Sequence, residues 1–325
     1  MLPPSERLTL GAYLERWLED VVKPGVRPRT YGSYRELARL YVLPMLGGVP
    51  LRTLQPAQLQ HLYGALLARG LAPKTVRNVH GVLHRALAQA VDWGLAARNV
   101  AAVVQAPKVE HPEAAALGPE EVARLLAAAR DTRWAALLTV AVATGLRQGE
   151  LLGLRWADLD LEAGVLHVRR QLGRDKTFAP PKTSRGRRRV ELPELAIEAL
   201  RAHRRHQDEE RGGHGPAYEE QDLVFCTHQG RPLGWRNVTR AFKGLLRQAR
   251  LPDVPFHALR HTTASLLFLQ RVHPKVVQEQ LGHSRIGITL DLYSHLFPSL
   301  GKEAADRLDD LLAREGPEPP AEGAE

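Results

Sequence analysis

Apolar side chains recur at helical spacing from the start of the chain. Over 8–20, Leu10, Tyr13, Leu14, Trp17 and Leu18 fall on one face, and Pro24 and Gly25 then interrupt the pattern, so a first helix is expected there. The same period returns over about 29–43, 56–69 and 73–93. Thr30, Pro56 and Pro73 stand near the starts of these stretches, with Gly47-Gly48, Gly70 and Gly94 at or after their ends. Four helices and no strand are therefore expected between residues 8 and 100.

The periodicity lapses over 101–116, where Pro107, Pro112 and Glu113-Ala114-Ala115-Ala116 read as an exposed connector. Helical patterns resume at 119–130, opened by Gly118-Pro119-Glu120-Glu121, and at 134–144 and 147–154. The period then changes: Val165 to Val168 and Arg189 to Leu192 predict short strands around a turn-rich insert at 173–187. Further helices are expected at 194–211, 235–250, 259–270, 274–281 and 289–296, with a Gly/His/Pro loop at 212–216. The fold class is mainly α with a small antiparallel sheet. The expected division is a helical domain at 1–105, a linker at 106–116 and a second domain at 117–298. A packing helix at 299–314 and a disordered, Pro-rich tail at 315–325 follow. Leu300, Ala304, Leu308, Leu311 and Leu312 lie on one face of that last helix, which can pack on its own domain or on a neighbour.

Composition narrows the function. With 325 residues, 44% hydrophobic and 25% charged, wholesale disorder is excluded and two domains are affordable in length. The formal net charge of +9 divides unevenly: +7 over 1–110, +7 over 111–301 and −5 over 302–325. Two separately basic domains point to a polyanion such as nucleic acid. The 37 Arg against 8 Lys suit forked contact with phosphate and equally fit G+C-rich coding. Over 169–189, nine basic residues face only Asp175, so that hairpin repels itself unless an anion is near. The single cysteine, Cys226, excludes an intramolecular disulfide and a multi-thiolate zinc site. No run of 18 apolar residues and no signal-peptide layout is found, so a cytoplasmic protein without a membrane span is expected.

No phosphate-cradling loop of either common type occurs, and no cofactor is implied. His257 and His261 are one helical turn apart, yet His-Ala-Leu-Arg-His lacks the Glu of a zincin helix and Arg260 would repel a cation; no metal is expected. No Gly-x-Ser-x-Gly elbow supports serine hydrolase chemistry.

Four separated motifs carry the chemistry: Thr144-Gly-Leu-Arg147-Gln-Gly-Glu150 continuing to Trp156-Ala-Asp158; Pro181-Lys182-Thr183; His257-Ala-Leu-Arg260-His261-Thr262; and Leu281-Gly-His283 leading to Tyr293-Ser-His295. Singly, each has an ordinary reading: Arg147 bridging Glu150, Lys182 at a solvated hairpin tip, Tyr293 in a core. Together, in this order, they resemble the tyrosine recombinase (phage integrase) family over 112–298. The preceding helices resemble that family's core-binding, SAM-like domain. The resemblance implies a clamp around duplex DNA, a homotetramer acting on two duplexes at attachment sites, and strand exchange through a 3′-phosphotyrosine, with an accessory DNA-bending protein as a further partner.

The chemistry explains the residue types. Cutting a phosphodiester builds charge on its non-bridging oxygens, and Arg147 and Arg260 are the guanidinium forks for them. Tyr293 is the nucleophile, and its hydroxyl, with an ordinary pKa near 10, needs a base or a positive field. Lys182 is the general acid for the leaving 5′-oxygen, with Lys176 the alternative outside the Pro-Lys-Thr context. His257 matches the family's proton-handling position and His283 its hydrogen bond to the scissile phosphate. Glu150 orients Arg147 or a histidine, while His261 and His295 read as structural. Arg185, Arg187, Arg188, Lys74 and Arg77 are the expected DNA contacts.

Only about seven residues precede the first helix, which leaves little room for an arm-binding domain. A mobile-element integrase and a two-domain Xer-type resolvase both fit, and the long 201–221 segment favours the first. A type IB topoisomerase and a chemically inactive DNA-binding regulator are the rivals; the presence of all six catalytic side chains weighs against the regulator.

Overall fold

The computed structural model describes residues 8–109, 115–181 and 184–282, together with 287, 305, 306, 308–310 and 312. The chain forms two compact units, Met1–Pro112 and Glu113–Glu325, each with its own hydrophobic core.

The first unit is helical. Thr9 caps helix α1 (10–25), its hydroxyl accepting the Ala12 N–H at 3.2 Å. Then come α2 (28–46), α3 (Pro56–Ala68) and α4 (Pro73–Asp92). Tyr13, Leu14, Trp17, Leu59, Tyr63 and Leu83 are buried at their centre, and the Tyr13 hydroxyl donates to the Ala86 carbonyl at 2.5 Å. The first helix takes in Pro24 and stops at Gly25, where the sequence pattern breaks, and the second runs through Pro44. In both cases a π turn, Leu18–Val22 or Ala38–Val42, lies directly before the proline step. A proline ring normally meets the carbonyl of the preceding turn, and the wider π turn gives it room. Among the described residues of this unit, Thr9 and Pro50 form an isolated bridge and there is no strand.

In the second unit, α5 (Pro119–Ala129) opens with the Glu121 carboxylate accepting the Gly118 N–H at 2.8 Å. Helix α6 (Ala135–Thr144) is apolar almost all round and runs through the core, with α8 (Glu194–His214) packed beside it. Short α7 (Gln148–Leu152) leads to an antiparallel sheet in the order β1 (Leu159–Asp160), β2 (Val165–Val168), β5 (Arg188–Glu191), with His167 opposite Arg189. The insert between β2 and β5 holds a second hairpin, β3 (Gln171–Leu172) with β4 (Phe178–Ala179), where only turns are expected from the sequence. Two-residue strands are too short to show a period. Helices α9 (Trp235–Gln248), α10 (Ala258–Leu269) and α11 (Pro274–Leu281) follow.

One expected loop is displaced. Helix α8 continues through Gly212-Gly213 and stops only at Gly215. Arg211 pairs with Glu220 and lies over the Tyr218 ring, and His214 Nδ1 bonds the Glu210 carbonyl at 3.0 Å. Those contacts hold the last turn against the low helix propensity of its glycines. The helix expected at 289–296 and the tail at 315–325 lie outside the described residues. Of the expected helix at 299–314, residues 305, 306, 308–310 and 312 are helical, with Leu308 and Leu312 exposed.

Candidate active site

Three separate sequence motifs meet at the C-terminal end of α11. Helix α6 ends at Gly145, whose φ of +63° only glycine adopts without strain. A Cβ there would also lie 2.4 Å from Leu281 Cδ2. This tight turn buries Leu146 and presents Arg147 as the cap of α7, with Glu150 three residues on. His257 and Arg260 stand at the opening of α10.

Each of three arginines bonds a different carbonyl at the end of α11. Arg188 Nε donates to Gln280 at 2.6 Å, Arg260 Nη2 to Leu281 at 2.5 Å, and Arg147 Nη2 to Gly282 at 3.4 Å. Arg260 also donates from Nη1 to the Gly145 carbonyl at 2.9 Å. A helix C-terminus carries unsatisfied carbonyls and the negative end of the dipole, so it gathers cations. Gly282, at φ +66°, closes the helix in the left-handed conformation and leads directly to His283.

Glu150 is the buried counter-charge. Its carboxylate accepts the Arg147 backbone N–H at 3.0 Å, Arg147 Nη1 at 2.7 Å and Arg188 Nη2 at 3.1 Å. Burial pushes its pKa up, but Arg188 and Arg147 outweigh that and hold it below the usual carboxylate range. The His257 and His261 rings meet edge to face at 5.1 Å. Desolvation of its ring, then His261, Arg260 and Arg147, lower the His257 pKa to about 4 against an opposing pull from Glu150. At neutral pH His257 is uncharged and able to accept a proton.

Arg147, Glu150, His257 and Arg260 are thus brought together, while Lys182, His283 and Tyr293 lie outside the described residues. Of the expected DNA contacts, Arg185 and Arg187 are exposed beside β5, and Lys74 and Arg77 are exposed on α4 of the first unit. Arg188 is instead drawn inward: its side chain is 7% exposed and its guanidinium is bonded to Glu150, Gly186 and Gln280. Its neighbour two residues along the strand, Val190, is also buried, so the two-residue period of β5 places Arg188 on the inner face. Asp158, deep in the same unit, pairs with Arg170 and caps the Arg155 N–H at 3.0 Å, a support the sequence motif contains without revealing. Among the described residues no group of three or more His, Cys, Asp or Glu side chains is arranged to hold a metal ion, and no helix is long and apolar enough to cross a membrane.

Residues 116–299 match the profile of the phage integrase family, and residues 9–67 that of the phage integrase N-terminal SAM-like domain. The chain is 34% identical to the XerC-like tyrosine recombinase of Caldanaerobacter subterraneus, over 94% of this chain and 84% of that protein. It is 29% identical to the ICEBs1 integrase of Bacillus subtilis, over 76% of this chain and 68% of that one. Its fold matches that of the Tn1549 transposon integrase solved in complex with transposon right end DNA. There the TM-score is 0.81 at 22% identity, covering 93% of this chain and all of the other.

Proposed function

Because the chain belongs to the phage integrase family, that of the tyrosine recombinases, we infer that it is a site-specific DNA recombinase acting through a 3′-phosphotyrosine at Tyr293. The observation that carries the residue assignment is the meeting of Arg147 and Arg260 at the end of α11, one residue before His283, with His257 near enough for both guanidiniums to lower its pKa.

In this reading the scissile phosphate sits against the Arg147 and Arg260 guanidiniums, which balance the charge growing on its non-bridging oxygens. The Tyr293 hydroxyl gives its proton to neutral His257 as its oxygen forms the new bond to phosphorus. The bond from phosphorus to the 5′-oxygen breaks, and Lys182 supplies that oxygen's proton. The phosphotyrosine conserves the ester, so a 5′-hydroxyl from the partner duplex reverses the step and joins the exchanged strand. His283 adds a hydrogen bond to the phosphate. We assign the substrate as duplex DNA carrying a recombination site, engaged by a homotetramer, in the compartment that holds the DNA.

Integration or excision of a mobile element is the biological role we propose, in keeping with the integrase relatives. The XerC-like relative favours a second reading, resolution of chromosome or plasmid dimers. A nicked suicide duplex carrying the element's attachment site, resolved on a denaturing gel, tests the chemistry. Wild type should give a covalent adduct and Tyr293→Phe none; an undiminished adduct from Tyr293→Phe refutes the assignment. Two matched element sites recombining while chromosomal dimer sites do not would separate the two roles.

A further inference from the structure

We infer that Arg188 is a positioning residue that keeps Arg147 available to the scissile phosphate through Glu150, and is not itself a DNA contact; this rests on the reading of Arg147 as a phosphate clamp. Glu150 is 2% exposed and bonds Arg147 twice, so the two alone would form a neutral pair, with the clamp's charge cancelled by its own support. Arg188 adds a second cation to the same carboxylate at 3.1 Å and returns the triad to a net charge of +1. With its charge shared, Glu150 orients Arg147 without consuming its positive field, which is what a phosphate needs to meet.

Geometry supports the same role. Arg188 reaches one partner on each of three segments: Glu150 on α7, the Gly186 carbonyl before β5 at 3.3 Å, and the Gln280 carbonyl on α11 at 2.6 Å. Three of its five N–H groups are bonded to these protein acceptors. The backbone makes room for it: a Cβ on Gly282 would lie 3.1 Å from both Arg188 Cδ and Nη1. Arg188 therefore fixes the α11 end, where Arg147 and Arg260 also bond, against the helix that carries Arg147.

Arg188→Met keeps the length and removes the charge. Two quantities are read: affinity for a duplex site as a function of salt, and the rate of adduct formation on the suicide duplex with protein saturating. The expected result is affinity within about twofold of wild type with an unchanged salt slope, and cleavage slowed about 100-fold, the size of effect seen when one charge-stabilising donor is lost. Arg147→Lys combined with Arg188→Met should be no slower than Arg147→Lys alone, because the second change acts through the first. A salt slope reduced by about one with normal cleavage at saturation would instead make Arg188 a phosphate contact and overturn the inference. Multiplying defects in the double variant would overturn it too. Should Arg188→Met fail to fold, Arg188→Lys carries the test: retained charge without the fork predicts intermediate cleavage at normal affinity, and full wild-type cleavage refutes it. Wild type runs in the same gel. No wild-type adduct defeats the Tyr293 reading, whereas a wild-type adduct matched by Arg188→Met defeats only the positioning role.

Discussion

Replacing Glu150 by Gln removes one charge from the middle of the site while keeping the shape of the side chain. The carboxylate accepts three bonds, two from Arg147 and one from Arg188, and is 2% exposed. Gln retains one acceptor oxygen and turns N–H groups toward guanidinium donors. Arg188, 7% exposed, is then left as a buried cation without a counter-charge. Removing one partner of a buried ion pair costs about 3–5 kcal/mol. The Arg147 side chain is 42% exposed and regains water, so its share is discounted and Arg188 dominates the loss. For a unit the size of Glu113–Glu325, with about 2–4 °C lost per kcal/mol, the melting transition should fall by roughly 6–20 °C. The pH dependence has a definite sign. The folded-state pKa of Glu150 is depressed, so its contribution is complete above the ordinary carboxylate value of 4.5 and is lost as pH falls from there through the folded value. Calorimetry of wild type and Glu150→Gln should therefore show a gap that is widest near neutral pH and narrows in acid. A gap below about 2 °C at neutral pH, or one that stays constant into acid, refutes the buried-triad reasoning.

With His257 titrating at about 4 in the DNA-free protein, the second-order rate of adduct formation, measured with protein below saturation, should hold level from neutral pH down past 6.5 and fall only toward 4; an acid limb centred at 6.5 would remove His257 as the neutral base. The depressed value also means that its contribution to stability is present above 6.5 and lost as pH drops toward 4. Lys74→Ala and Arg77→Ala, both on the exposed face of α4, should each weaken DNA binding across sequences and lower the salt slope by about one; an unchanged slope takes that residue off the DNA face.

Periodicity revealed the amphipathic helices because they have a solvent side and a core side, as in α4, where Val76, Val79, Leu83 and Leu87 are buried and Lys74 and Arg77 are not. It failed where tertiary contacts override local preference. Arg211 and His214 carry α8 through two glycines, and π turns carry two helices past prolines. The arginines and the histidine that the structure brings together were named from the sequence as residue types, the arginines because phosphoryl chemistry calls for forked donors and His257 through the family resemblance; that burial and neighbouring cations keep His257 uncharged is visible only in the fold. The place of Arg188 was hidden by its setting among Arg185, Arg187 and Arg189, a run that reads as one basic surface. Within β5 the two-residue period separates inward Arg188 from outward Arg189, and a four-residue strand preceded by Arg185 and Arg187 is too short to show it in the sequence.

The bonds at the end of α11 also differ in strength in a way that matters for catalysis. Arg260 is 3% exposed and holds two carbonyls at 2.9 and 2.5 Å, so it is fixed before DNA arrives. Arg147 touches Gly282 at 3.4 Å, near the limit for a hydrogen bond, and its side chain is 42% exposed. A phosphate offers a full charge where Gly282 offers a carbonyl dipole, so Arg147 is the member able to exchange that weak bond for the substrate while Glu150 keeps its direction. The chain leaving Gly282 carries His283 and then Tyr293. In the function proposed above, holding that departure point with Arg260 and Arg188, with Arg147 directed by Glu150 and weakly bonded to Gly282, would tie the origin of the Tyr293 segment to the phosphate clamp, so that cleavage would depend on this helix end as well as on single side chains.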